Sequence, residues 1–302
     1  MHQVDNLILK YQERLDIKKA FWSRIDHEDA MVATVYKIVQ SKGNPLILKI
    51  CSRLGDYFRE VFFLNHFAGL LPVPRIMKTI TPEPGMPGAI LMECLPGRLL
   101  QKKDFTKELA YETGVLLARI HLDRVAGYGD LIEPHNLCQD PRVPFTLKFE
   151  EGLEECRDHL PKELFDQCRL FFDKHIQSLT TADGPRIIHR DFRAGNVIVH
   201  EGKIKGVIDW SSARGSFAEE DFCPIEHGEW PTNSINQKSF LAGYASVRPI
   251  PVYSSIMPLL RLNRAIAIIG FLVKRGTWES SNSQIYQNNR TFLESLIKNA
   301  FY

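Results

Sequence analysis

Three side chains with hard oxygen donors, Asp191, Asn196 and Asp209, fall within the single stretch IIHRDFRAGNVIVHEGKIKGVIDW at residues 187–210. A carboxylate can orient a hydroxyl and take its proton late in an attack on a phosphoryl group. A second carboxylate and an amide can hold Mg²⁺ while it bridges phosphates. Asp191 suits the first role, and Asn196 and Asp209 the second. Together they are the kinds of group that phosphoryl transfer to an alcohol requires. Asp191 follows the apolar pair Ile187-Ile188, and Asn196 opens the β-branched run Val197-Ile198-Val199. Asp209 closes Val207-Ile208, after the turn-forming Glu201-Gly202. A strand, a turn and a strand bring Asn196 and Asp209 to one end of a small hairpin, and Asp191 on the preceding loop faces the same space.

Other elements must position that hairpin. With 302 residues, 44% of them hydrophobic, the chain has material for two lobes, each with a core. An amphipathic helix is expected over the first sixteen residues. Strands are expected at residues 20–25, 32–39, 46–50, 75–80 and 89–94, broken by polar and Gly-Pro clusters. Residues 52–68 change to helical period, with Leu54, Tyr57, Phe58, Val61, Leu64 and Phe67 on one face. Pro96-Gly97 turns the chain into a second domain, giving residues 1–95 and 96–302. Beyond it, helices are expected at about 105–122, 148–158 and 161–178.

Composition narrows the partners. A net charge of +2 argues against a polyanion such as nucleic acid. Six cysteines without a Cys-x-x-Cys point to a reduced, cytoplasmic setting. The longest apolar run, residues 265–273, is far short of the roughly 20 residues that span a bilayer, so no membrane partner is expected. The pattern is compatible with a monomer or a homodimer.

HRDFRAGN, with Asp191 and Asn196 five apart, followed by IDW with Asp209 eighteen after Asp191, resembles the catalytic and magnesium-binding loops of the protein-kinase-like superfamily. The Trp after Asp209, where protein kinases carry Phe-Gly, is similar to the aminoglycoside phosphotransferase and choline kinase branch. This resemblance implies a bilobal α+β fold, with a five-stranded antiparallel N-terminal lobe carrying one main helix and a mostly helical C-terminal lobe. It further implies ATP or GTP as donor, Mg²⁺ as cofactor, and the hydroxyl of an aminoglycoside-, antibiotic- or choline-like small molecule as acceptor. In this frame Lys49, on the third strand, reaches the nucleotide phosphates, and Glu60, eleven residues later on the helix, restrains it. Residues 90–100, ILMECLPGRLL, resemble the hinge: Met92 backs the base, while the Glu93 carbonyl and the Leu95 amide hydrogen-bond it. Arg193 serves the γ-phosphate. His121, at the end of a helix, takes a buried structural role, and Asp221 hydrogen-bonds the backbone of the catalytic loop.

Two departures qualify the match. The loop DHEDAMV at residues 26–32 lacks the glycines that protein kinases place over the phosphates, and Ser216-Phe217 stand where the family has Asp-Pro. A protein kinase is the first alternative, but Asp221 follows only twelve positions after Asp209, with no Ala-Pro-Glu after it, which leaves no room for a peptide-docking segment. A catalytically inactive nucleotide-binding pseudokinase is the second, and the presence of Lys49, Glu60, Asp191, Asn196 and Asp209 weighs against it. Glu226, Glu229 and Trp230 have the chemistry to line a site for a cationic acceptor; a solvated helix end is the simpler reading.

Overall fold

The chain opens with α1 (His2–Leu15), β1 (Phe21–Ile25), β2 (Ala33–Val39), β3 (Leu46–Cys51), α2 (Leu54–His66), β4 (Ile76–Ile80), β5 (Gly88–Glu93) and the short β6 (Arg98–Leu99). α3 (Lys107–Ile120), α4 (Arg142–Glu155), α5 (Lys162–His175), β7 (Arg186–Ile188), β8 (Val197–His200), β9 (Lys203–Val207) and β10 (Arg214–Ser216) follow. After these come α6 (Cys223–Glu226), α7 (Ser234–Ala245), α8 (Met257–Lys274) and α9 (Ser283–Phe301). The structure is a computed structural model that describes residues 2–17, 19–25, 33–101, 104–226, 230 and 233–301. It is an α+β fold with a five-stranded antiparallel sheet, ordered β1-β2-β3-β5-β4, and a largely helical remainder. Among the described residues no helix is long and apolar enough to cross a membrane.

The chain divides into two compact units. The first gathers residues 1–120, 189–213 and 230–247; the second gathers 121–188, 214–229 and 248–302. The turn at Pro96-Gly97 lies inside the first unit. Gly97 is needed there: its φ is 111°, and a Cβ would stand 2.2 Å from the Val199 carbonyl oxygen.

In the first unit, strand alternation sorts core from site. Leu48 and Ile50 of β3 join Ile38, Ile80, Ala89 and Leu91 in a core that α1 covers with Tyr11 and Leu15. The Tyr11 hydroxyl fixes that helix by donating to the Pro87 carbonyl at 2.7 Å. Lys49, between two inward residues, must therefore point to the other face of the sheet. α2 carries the group it meets there. The buried face of α2 is in part the one its apolar residues predict: Tyr57, Leu64 and Phe67 are buried as expected. Asp56, Tyr57, Glu60, Phe63 and Leu64 are buried, while Leu54 and Phe58 are 60% and 41% exposed. Two partnered carboxylates, Asp56 and Glu60, share the inner face with that stripe.

β8 and β9 form the expected hairpin, with Val197 opposite Val207 and Glu201-Gly202 both at positive φ in the turn. In the second unit, α8 packs against α4 and α9. α4 begins six residues before the expected helix at 148, because Pro144 in a first turn has no hydrogen bond to lose.

Candidate active site

Lys49 Nζ lies 2.9 Å from Glu60 Oε2 and 2.7 Å from Asp209 Oδ1. The first contact is the expected pair; the second, across 160 residues, is additional. Burial works to strip the ammonium of its proton, but the charges of Asp209 and Glu60 outweigh it and hold the Lys49 pKa well above the lysine range. Asp209 is held well below the carboxylate range, first by the Lys49 charge, which overrides burial, and then by the Ser211 hydroxyl. At Glu60 burial dominates and raises the pKa. One ammonium between two carboxylates leaves the trio with a negative charge to spare. Asp209, 39% exposed against 2% for Glu60, is the more accessible of the two carboxylates.

Asp209 adopts a left-handed backbone, φ 66° and ψ 64°, and Arg190, just before Asp191, has φ 67°. Non-glycine residues in that region are strained, and here two of them bracket the chemistry. Asn196 donates from Nδ2 to the Asp191 carbonyl oxygen and to Asp191 Oδ2, both at 2.8 Å. Arg193 Nε donates to the same Oδ2 at 3.2 Å. Asp191 is thus anchored through Oδ2. Asn196, with both amide protons committed, has its Oδ1 as an acceptor. The Ile208 amide donates to the Asn196 carbonyl at 3.0 Å, which ties the two ends of the hairpin together.

These donors fit Mg²⁺. Asp209 and Asn196 supply two hard oxygens, and among the described residues no group of three or more His, Cys, Asp or Glu side chains is arranged around a metal. A sparse protein donor set of this kind suits a cation that takes its other oxygens from phosphates and water.

At the end of β5, Met92 is buried and pairs with Ile47 and Ile76. The Glu93 amide donates to the Arg75 carbonyl, the Cys94 amide donates to the Pro45 carbonyl, and the Glu93 carboxylate accepts from the Arg75 amide at 2.8 Å. His121 is fully buried, with Nε2 3.0 Å from Asp221 Oδ2. Asp221, expected against the catalytic loop, therefore has this imidazole as a partner. Trp230 is no open cation–π surface: it is buried, donates from Nε1 to the Phe192 carbonyl at 2.8 Å, and packs against Phe105 and Phe192. Glu229 and the glycine-free loop at 26–32 lie outside the described residues.

Three features gave no warning in the sequence: Arg59, which donates from Nε to the Ser211 carbonyl at 2.5 Å; Ser211, whose hydroxyl donates to Asp209 Oδ1 at 2.9 Å; and the packing of Trp210 on Phe63 and Phe67. The i,i+3 spacing of Asp56 and Arg59 was the one available hint of the first.

A strand lysine paired to a helix glutamate, with an Asp-Asn loop and a following Asp, defines a kinase-like small-molecule phosphotransferase. Residues 28–231 match the model of the phosphotransferase enzyme family, and the chain belongs to that family. Solved structures share its fold. A thermostable mutant of the aminoglycoside phosphotransferase APH(4)-Ia, in ternary complex with AMP-PNP and hygromycin B, aligns with a TM-score of 0.71 at 13% identity, over 96% of this chain and 98% of that one. The GDP and kanamycin complex of APH(2″)-IIia aligns with a TM-score of 0.66 at 14% identity, over 98% and 100%. A putative aminoglycoside phosphotransferase from Ralstonia eutropha JMP134 gives 0.66 at 16%, over 97% of each chain. No curated protein matches in sequence.

Proposed function

We propose that this chain transfers the γ-phosphoryl group of ATP or GTP to a hydroxyl of an aminoglycoside-, antibiotic- or choline-like small molecule, with Mg²⁺ as cofactor. The observation that carries this reading is the Lys49 ammonium held between Glu60 and Asp209, in the same unit as an Asp191 carboxylate anchored by one oxygen only. Lys49 holds the α- and β-phosphates, and Glu60 keeps it in place. Asp209 and Asn196 Oδ1 would hold the magnesium ion, which would supply positive charge to offset that developing on the phosphates. Asp191 Oδ1 orients the acceptor hydroxyl and takes its proton late, and Arg193, itself restrained by Asp191, faces the γ-phosphate. Met92 backs the base, and the Glu93 carbonyl and Leu95 amide pair with its edge. Residues 1–95 thus serve the nucleotide, and 96–302 the chemistry and the acceptor. The AMP-PNP and GDP complexes of the structural neighbours support a nucleotide donor, and their hygromycin B and kanamycin support a polyhydroxylated acceptor. The six free cysteines suit a cytoplasmic setting.

The test is a screen of aminoglycosides, other hydroxylated antibiotics and choline-like amines, with γ-labelled ATP and GTP in parallel. Label should move to one acceptor class. Asp191→Asn should lower that turnover by at least about a hundredfold with nucleotide affinity nearly unchanged. Retention of most of the turnover in this variant would remove Asp191 from the reaction.

A further inference from the structure

Arg59 precedes Glu60 on α2 and reaches the turn that follows Asp209. Its Nε donates to the Ser211 carbonyl at 2.5 Å, and its Nη2 donates to Asp56 Oδ1, one turn back on the same helix, at 2.6 Å. Gly55 leaves room for the guanidinium: a Cβ there would stand 3.1 Å from Nη1 and 3.3 Å from Nη2. Ser211 in turn donates its hydroxyl to Asp209 Oδ1, the oxygen that Lys49 also holds. A continuous chain of polar contacts therefore runs from Asp56 through Arg59 and Ser211 to the Asp209 carboxylate.

That chain meets a physical need. The left-handed backbone at Asp209 persists only if its surroundings over-determine it. Trp210, packed on Phe67 and Phe63 with ring centroids 4.8 and 6.1 Å away, fixes the depth of the turn against α2. Apolar contact is non-directional, and the directional bond of the ring, from Trp210 Nε1 to the Val207 carbonyl at 3.2 Å, fixes the strand side of the turn and not the Ser211 side. A charge-assisted hydrogen bond to the Ser211 carbonyl is directional and fixes that side as well.

We propose that Arg59 is a positioning residue for phosphoryl transfer: by holding the Ser211 carbonyl it keeps the Ser211 hydroxyl and the Asp209 backbone in the arrangement that presents the Asp209 carboxylate to a nucleotide-bound divalent cation. The proposal rests on the reading of Asp209 as a metal ligand. A purely structural Arg59 would lower thermal stability and leave the metal requirement unchanged.

The experiment titrates the full chain with AMP-PNP and with GMP-PNP, in EDTA and at stepped Mg²⁺ concentrations, by calorimetry. Arg59→Met keeps the stem and removes the donors; Arg59→Lys restores one charged donor. Thermal midpoints without ligand report the fold. In Arg59→Met the affinity in EDTA should stay within about twofold of the parent, while the Mg²⁺ concentration for half-maximal nucleotide binding rises about 5- to 20-fold, with Arg59→Lys in between. An unchanged Mg²⁺ requirement overturns the assignment, as does an equal loss with and without the metal. Should Arg59→Met not fold, Arg59→Lys and Asp56→Asn carry the same comparison with smaller factors. If the parent binds both nucleotides equally well with and without Mg²⁺, the ligand role of Asp209 falls and the positioning role falls with it.

Discussion

Two sheltered charge clusters in this chain have opposite composition. In the first unit one ammonium, Lys49, is shared by two carboxylates, Glu60 and Asp209. In the second unit one carboxylate, Asp183, is shared by two guanidiniums: Arg186 Nε lies 2.7 Å from Oδ1, and Arg248 pairs with Oδ2. Arg186 also donates to the His121 carbonyl at 2.9 Å, and the Asp183 amide donates to both oxygens of Glu219 at 3.0 and 3.1 Å. The second cluster is closed, each charge answered by a protein group. The first is short of positive charge and exposes its Asp209 end. An ion network that merely holds a fold completes its own pairing; one that serves a reaction leaves a place for the reactant.

The strongest way to break this contrast is to remove the central carboxylate of the closed cluster. Asp183→Ala leaves two sheltered guanidiniums facing each other and should cost about 3–5 kcal/mol in chemical denaturation, with Mg-nucleotide affinity in the surviving folded protein unchanged. Asp209→Ala should do the reverse. Lys49 keeps Glu60 as a partner, so the stability loss should be the smaller of the two, while Mg-nucleotide affinity falls more than about tenfold. Equal stability losses in the two variants would erase the distinction. Asn196→Ala should weaken Mg-nucleotide binding less than Asp209→Ala, yet lower turnover as well, because its amide also anchors Asp191.

A finer test concerns the internal logic of the open cluster. If Glu60 acts only through Lys49, the catalytic losses of Lys49→Ala and Glu60→Ala should fall short of additivity by about 0.5–3 kcal/mol in a double-mutant cycle. The Lys49 change should be the larger single loss. Strict additivity would mean that the two act separately.

The smallest effect is one of pH, in the closed cluster. Burial pushes the Glu219 carboxyl up to about 7, against the hydrogen bonds that it accepts from the Asp183 amide and its own. Between the ordinary carboxylate range and pH 7 the folded chain therefore binds more protons at Glu219 than the unfolded chain does, and stability falls as pH rises through that window. His121, whose pKa burial lowers below the histidine range against the pull of Asp221, acts in the opposite sense, favouring the fold as pH rises toward the same range. The measurement is consequently a difference: Glu219→Gln should gain on the parent in urea midpoint between pH 5 and pH 8. A constant offset across that range would mean that Glu219 does not titrate there.

What the sequence disclosed depended on distance along the chain. The β8–β9 hairpin and the α2 helix are local, and periodicity was enough to find them; the Lys49–Glu60 pair was legible only through the resemblance carried by the Asp191–Asp209 stretch. The Lys49–Asp209 contact spans 160 residues and carries no local signature. The face of α2 was legible only in part: Tyr57, Leu64 and Phe67 are buried as expected, but Leu54 and Phe58 are exposed and Asp56 is buried beside its partner Arg59, which hydrophobic patterning cannot register. The makeup of the two units was equally hidden, since it depends on α3 meeting α7, where a Cβ on Gly114 would stand 2.0 Å from the Phe240 carbonyl oxygen.

That discontinuity bears on how the protein comes into being. The first unit draws on residues 1–120, then 189–213, then 230–247, and the Phe105 carbonyl waits 131 residues for the Asn236 side chain that donates to it. During synthesis the sheet and α1 can assemble early, but the inner side of α3, with Leu109, Leu116 and Leu117, lacks its main cover until α7 leaves the ribosome. At roughly 5–20 residues per second that is an interval of several seconds or more in which an apolar helix face stands without that cover. A nascent chain arrested after residue 213 should therefore already carry every proposed nucleotide and metal contact and still depend on a chaperone to keep α3 from a wrong partner.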